Sequence, residues 1–189
     1  RKLQLASRSR TVTIDRDLGT VLIGERINPT GRKKLAAEIK DGSLLSVKKE
    51  AVNQVKAGAQ LLDVNMGVGG IDQAAAMRRA IREISQITDA PLVIDTSDAK
   101  ALEAGLRAYP GRALINSVSA EDNRIKEFLP LAKRYGAAIL CLPIGEEGVP
   151  KTAEARFAAT KYIIDEAAKY GLTDGDFLLD APVMTVTAD

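Results

Sequence analysis

The chain has no histidine and no tryptophan, a single cysteine, and only three Phe and four Tyr in 189 residues. Without histidine, Ser-His-Asp and Cys-His catalysis are excluded within this chain, and so are most zinc sites. Any proton transfer must run through Asp, Glu, Lys, Tyr or water. An imidazole ligand to a metal cofactor must come from another chain or domain. The scarcity of aromatic residues removes the stacking platform a single-strand nucleic-acid binder needs. The near balance of 27 Lys and Arg against 25 Asp and Glu disfavours a general nucleic-acid partner as well. Cys141 has no partner for an internal disulfide, which fits a reducing cytoplasm. It lies in the apolar run Ala137–Ile144 and reads as a packed core residue. No apolar run reaches transmembrane length and no signal peptide is visible, so a cytoplasmic protein with no membrane partner is expected.

What is present is a repeated pattern. Five apolar runs end in a small hydrogen-bonding side chain: Val21–Asn28, Leu61–Asn65, Leu92–Ser97, Ala113–Ser117 and Phe177–Asp180. Amphipathic stretches follow the first four. Short buried strands alternating with helices mean a parallel sheet. Strands are expected at 20–28, 59–65, 92–95, 113–117, 137–143 and 177–181. Helices are expected at 43–57, 73–87, 99–108, 123–135 and 152–170, with a short extra helix within Gly31–Asp41. Glycines 58, 136 and 171 stand at helix–strand joins where a left-handed cap is wanted.

The expected fold class is α/β, a TIM (β/α)8-type barrel of which about six units are present. An open doubly wound sheet is the rival, but it would carry a Gly-rich phosphate turn after its first strand. Here that turn is Glu25-Arg26-Ile27-Asn28-Pro29-Thr30-Gly31. A closed barrel needs eight units, so either two lie beyond this chain or a second chain fills the gap, and a homodimer stays open. Residues 1–19 are polar and basic, and read as a linker from a preceding domain with one edge strand near Thr11–Ile14. Residues 20–189 read as the barrel, incomplete at its C-terminus.

Strand tips crowded with Asp and Asn admit a plain explanation for each residue. Any of Asp95, Thr96, Ser97 or Asp98 can cap the helix that follows. Asp63 and Asn65 can hold the glycine turn after them, and Glu25 with Arg26 reads as an ion pair at the barrel mouth. Capping does not require Asp or Asn at nearly every tip, however. Several aspartates meeting at one mouth repel each other and lose hydration, which is tolerable when a ligand donates hydrogen bonds to them. A pterin matches, because its guanidine-like edge presents N–H donors.

The segments Gly24-Glu25-Arg26-Ile27-Asn28-Pro29, Leu62-Asp63-Val64-Asn65, Ile94-Asp95-Thr96, Ile115-Asn116-Ser117 and Leu179-Asp180 together resemble the pterin-binding methyltransferases. These are the methyltetrahydrofolate:corrinoid methyltransferases and the folate-binding domain of cobalamin-dependent methionine synthase. Arg32-Lys33-Lys34-Leu35 and Ala108-Tyr109-Pro110-Gly111-Arg112 look closer to the methionine synthase branch. The resemblance implies that Asp95, Asn116 and Asp180 contact the pterin ring, that Asp63 and Asn65 belong to the same floor, and that Glu25 and Asn28 shape the mouth. It implies methyltetrahydrofolate as substrate and a cobalamin or other corrinoid supplied by a partner domain or protein. A homocysteine-binding domain in the same polypeptide is a further implied partner. It assigns no metal ligand to this chain. The family's seventh-strand asparagine lies beyond Asp189, so no catalytic residue is assigned.

Three other readings stand beside this one. A dihydropteroate synthase normally follows its first strand with Asn-x-Thr-x-Asp-Ser-Phe-Ser, and Asn28-Pro29-Thr30-Gly31-Arg32 lacks the second half of that segment. A non-catalytic folate-binding or docking module is the second. A barrel enzyme acting on a phosphorylated metabolite is the third.

Overall fold

A computed structural model describes residues 2–183; Arg1 and residues 184–189, the last of the expected barrel domain, lie outside the described residues. Six parallel strands form one sheet: β3 (Ile23–Ile27), β4 (Leu61–Asn65), β5 (Leu92–Asp95), β6 (Leu114–Ser119), β7 (Ala138–Leu142) and β8 (Phe177–Leu179). Their spatial order is their sequence order. An open doubly wound sheet reverses its order at a switch point, whereas a barrel wall does not. The sheet alternates with helices α1 (Lys33–Lys40), α2 (Leu45–Lys56), α3 (Gln73–Ile87), α4 (Ala99–Ala108), α5 (Asp122–Tyr135) and α6 (Ala153–Lys169). The architecture is a partial TIM barrel. No helix among the described residues is long and apolar enough to cross a membrane.

Strand alternation divides the sheet into two faces. Leu62, Val64, Leu92, Ile94, Ile115 and Ile139 face the helices, where they pack with Val47, Met77, Ile81, Leu102 and Phe128. Leu61, Val93, Leu114 and Ala138 face the barrel interior, joined by Ile23, Leu140 and Leu178. Burial on both faces explains why the strands read as nearly continuous apolar runs. The edge strands are shorter than the sequence implies: the first spans five residues rather than nine, and the last stops at Leu179.

The expected linker contains structure. Strands β1 (Leu3–Ala6) and β2 (Thr11–Ile14) pair antiparallel, in register from Leu3↔Ile14 to Ala6↔Thr11. Ser7 closes the turn, its hydroxyl oxygen accepting from the amides of Ser9 and Arg10. Leu3, Leu5 and Val12 are buried against Leu61, Val93 and Leu114, so the hairpin plugs the base of the barrel. The reason is a two-residue alternation, Leu3 and Leu5 opposite Val12 and Ile14, too short to stand out among basic neighbours.

Polar contacts anchor this plug. The buried Tyr109 hydroxyl donates to Ala6 O at 2.9 Å and accepts from the Leu92 amide at 3.1 Å. The backbones of Ala6 and Arg112 exchange two hydrogen bonds, and the Arg112 guanidinium reaches Gln4 O and the Asp176 carboxylate. Gly111 permits this approach: a Cβ there would lie 2.1 Å from Ala6 O.

Leu5 is fully buried in this plug. Leu5→Ala is expected to cost about 3 kcal/mol, as deletion of a buried leucine does. Urea unfolding measures it, and a solvated linker would show no change.

Candidate functional site

The parallel register aligns the polar tips. Asn65 pairs with Asp95 and Asp95 with Asn116, while Asp63 lies one rung deeper beside Val93. Asn65 and Asp63 share the face of Leu61, Asp95 that of Val93, and Asn116 that of Leu114, all of which line the interior. Asp180 follows Leu178 at the same two-residue step, and its amide donates to Cys141 O at 2.9 Å, extending the β7–β8 ladder. The five expected floor residues therefore lie on one inner face at the C-terminal ends of four strands. Apolar side chains and the hairpin fill the space below them.

Two amide–carboxylate pairs organise the floor. Asn65 Nδ2 donates to Asp95 Oδ2 at 2.8 Å, and Asn116 Nδ2 donates across β5 to Asp63 Oδ2 at 2.9 Å. Asn65 Oδ1 also accepts from the Gly67 amide at 2.8 Å, which fixes the turn after β4. Each carboxylate thus spends one oxygen on an asparagine. Asp63 Oδ1 and Asp95 Oδ1 keep their lone pairs, and so does Asn116 Oδ1. The cup presents mainly acceptors, with one N–H of each asparagine amide committed to a carboxylate and the second left over.

Burial sets the charge state. Asp63 is 3% exposed, and its carboxyl is pushed up to about 7. Loss of hydration is the main cause, the charges of Asp95 and Glu25 add to it, and the Asn116 hydrogen bond opposes it. Asp95 is raised for the same first reason, against the pull of Asn65. The capping alternative for Asp95 resolves in favour of Asp98, which accepts from the Lys100 and Ala101 amides at 2.7 and 3.1 Å. Asp95 is left to the cup.

The rim differs from expectation. Glu25 is exposed, and its charge is felt at Asp63. It does not pair with Arg26. Arg26 Nε instead lies 3.5 Å from Glu50 of α2, because an irregularity between Gly24 and Ile27 turns the strand. Gln54 holds that irregularity: its side-chain oxygen accepts from the Arg26 amide at 2.8 Å, in space a Cβ on Gly24 would occupy. Asn28 Oδ1 accepts from the Thr30 amide at 2.9 Å, so this side chain shapes the loop into α1. Nothing in the spacing of Glu50 and Gln54 on α2 marks them for this role in the sequence.

A family model described as pterin binding enzyme matches residues 24–188. The chain belongs to the pterin-binding enzymes. Solved structures agree in fold. A 7,8-dihydropteroate synthase from Vibrio fischeri aligns over 95% of this chain at a TM-score of 0.66 and 22% identity. A Yersinia pestis dihydropteroate synthase with a pterine-sulfa conjugate aligns over 95% at 0.65 and 18%. The Xanthomonas albilineans enzyme with 4-aminobenzoic acid aligns over 96% at 0.63 and 17%. The chain spans 66%, 66% and 65% of those three chains, respectively.

Asp63 gives the pH dependence. Its carboxyl titrates near 7 in the fold but near its ordinary 3.8 when unfolded, so the folded chain holds the extra proton between those values. Stability therefore falls as pH rises from about 4 to about 7 and levels off above. The cost at full ionisation is on the order of 4 kcal/mol. Asp63→Asn removes this component. In urea unfolding at about pH 5 and pH 8, the variant is expected to gain on the wild-type chain at the higher pH. Parallel profiles for the two proteins would contradict the burial argument.

Proposed function

We propose that the cup binds the pterin of methyltetrahydrofolate and holds its N5-methyl group for transfer to, or from, a Co(I) corrinoid carried by a partner domain or protein. The observation that carries this reading is the pair of interlocked amide–carboxylate contacts on one inner face, with Asp180 on the same face. A pterin offers adjacent ring N–H and exocyclic amino donors, which suit the free carboxylate oxygens. Its carbonyl and ring nitrogens supply a few acceptors. Recognition of this kind discriminates strongly, since a ligand lacking those donors would leave buried carboxylates unpaired.

The methyl-transfer branch is favoured by the rim. The Gly24–Pro29 opening and the Asp63-Val64-Asn65 tip resemble the methyltetrahydrofolate enzymes. The turn at Asn28–Thr30 runs almost directly into α1, in place of an Asp-Ser-Phe-Ser loop. The three synthases aligned above share the fold at 22% identity and below, which bears on the architecture and not on the branch.

The chain's own part in the reaction is orientation and field. The methyl–N5 bond breaks with its electron pair staying on nitrogen, so a proton or strong hydrogen bond at N5 lowers the barrier. Asp95 and Asp180 favour a cationic pterin without donating that proton. Asp63 anchors the Asn116 amide nitrogen, which turns the Asn116 oxygen toward the cup. The corrinoid, when docked over the mouth, supplies the nucleophilic or methyl-bearing centre.

Asp95→Ala is expected to weaken methyltetrahydrofolate binding about 100-fold, roughly 3 kcal/mol for loss of a buried charged acceptor. Its unfolding free energy should change by about 1 kcal/mol. Calorimetry and urea unfolding measure the two. Unchanged affinity with lost stability would reduce Asp95 to a structural residue. Methyl transfer to added Co(I) cobalamin selects the catalytic reading, folate binding without transfer selects a docking module, and dihydropteroate formation selects the synthase.

A further inference from the structure

We propose that Gln54, on the outer helix α2, is a positioning residue of the cup: by holding the bulged backbone at Arg26 it keeps the Glu25 carboxylate beside Asp63, as a further acceptor for the bound ring, and keeps the Arg26 cation out. This rests on the pterin reading of the cup and adds a residue that acts on the ligand only through Glu25.

The strand register carries the inference. Gly24 stands beside Leu62 and Ile27 beside Val64, so two residues of β3, Glu25 and Arg26, oppose the single residue Asp63. Ile23 packs with the interior cluster and Ile27 with the helix-side cluster, although an even step separates them. A regular strand would place both on one face. Ile27 is fully buried in the helix-side core. A β3 that kept Ile27 there without the extra residue would turn Arg26 inward and Glu25 outward. The bulge decides which of the two charges meets Asp63.

Two consecutive turns of α2 hold the observed choice. Gln54 Oε1 accepts from the Arg26 amide at 2.8 Å. Glu50, one turn earlier, takes the Arg26 side chain, with Nε 3.5 Å from its Oε2. Arg32 braces the same carboxylate, its Nη2 lying 2.5 Å from Glu50 Oε1. Arg26 is the only cation within the six parallel strands, and it is thereby turned away from Asp63 and Asp95. Glu25 has no hydrogen bond or ion pair of its own among the described residues, and its charge is felt at Asp63.

The fit of Gln54 has a cost that packing alone does not explain. The side chain is 7% exposed, and its Nε2 has no hydrogen-bond partner among the described residues. A buried donor left unpaired costs about 1–3 kcal/mol, which a methionine of similar shape would avoid. A Cβ on Gly24 would lie 2.6 Å from Gln54 Oε1, so the strand gives up a side chain to admit the amide. What the amide supplies in return is an acceptor for an N–H that the bulge leaves outside the ladder.

Asp63 is faced by Glu25 from β3, Asp95 from β5 and the Asn116 amide from β6, with Asp180 farther round the same inner face. The test compares the wild-type chain with Gln54→Met and Glu25→Gln. Carboxyl-carbon NMR follows the Asp63 titration in the free chain, and calorimetry follows methyltetrahydrofolate binding. In Gln54→Met the Glu25 charge withdraws and Arg26 approaches. Asp63 is therefore expected to ionise at lower pH, and methyltetrahydrofolate to bind about tenfold more weakly. Glu25→Gln, an exposed substitution, should move both readouts the same way. Lost stability in Gln54→Met with both readouts unchanged makes Gln54 a packing residue and overturns the proposal. A Glu25→Gln chain that titrates and binds as the wild type does overturns it too. If the wild-type chain binds no methyltetrahydrofolate, the cup reading fails and the acceptor role of Glu25 with it. The free-chain titration still reports whether Gln54 sets Glu25 beside Asp63, so the two failures are told apart.

Discussion

Asp63 is kept out of water within reach of the charge of the partly buried Asp95, and much of the structure around them follows from that constraint. Two carboxylates in a shared hollow repel each other and lose hydration. The fold offsets part of this by giving each an amide donor from a different strand, Asn116 for Asp63 and Asn65 for Asp95. Those bonds work only while β4, β5 and β6 hold their register, because a one-residue slip would turn every side chain to the opposite face. Register in turn rests on the apolar rungs below, Leu61, Val93 and Leu114, packed on the hairpin plug. The floor of the cup and the base of the barrel are therefore mechanically linked.

Much of this was legible in the sequence for a specific reason. A strand buried on both faces must be apolar throughout, so an Asp or Asn at its end is conspicuous. Leu61-Leu62-Asp63-Val64-Asn65 changes character within one strand, from apolar on both faces to apolar outside and polar inside. The alternation assigns the faces before any coordinates, and repetition of the change at Asp95, Asn116 and Asp180 marks a shared level. The pairing partners were not legible. That Asn116 reaches past β5 to Asp63, while Asn65 takes its rung neighbour Asp95, depends on side-chain reach across the sheet.

Other features were hidden for equally physical reasons. The hairpin at Leu3–Ile14 carries its apolar signal in single residues separated by polar ones. Its stabilising contacts, Tyr109 to Ala6 and Arg112 to Gln4, join residues about a hundred positions apart. The expected pairing of Glu25 with Arg26 took neighbours in sequence for neighbours in space. In a strand, adjacent side chains point to opposite faces, and here Arg26 turns toward α2 while Glu25 influences the interior. Glu50 and Gln54 lie on a helix face whose partner is visible only once β3 is bent.

Cup and rim divide the chemical tasks. On the proposed reading, a hollow rich in acceptors meets the donor edge of a pterin whatever is done to the ring afterwards, so its residues would define a ligand class more than a reaction. What distinguishes a methyl donor from a pterin about to be condensed is the substituent on the ring and the second reactant above it. Both lie over the strand tips and the loops that follow them. In this chain the loop after β3 is drawn into a short cationic helix, braced by Arg26, Arg32 and Glu50 against α2. That brace stiffens the mouth on one side and leaves lysines beyond it facing solvent. On the proposed reading, the acceptor floor meets the ring, and the reaction is decided by what approaches over this rim.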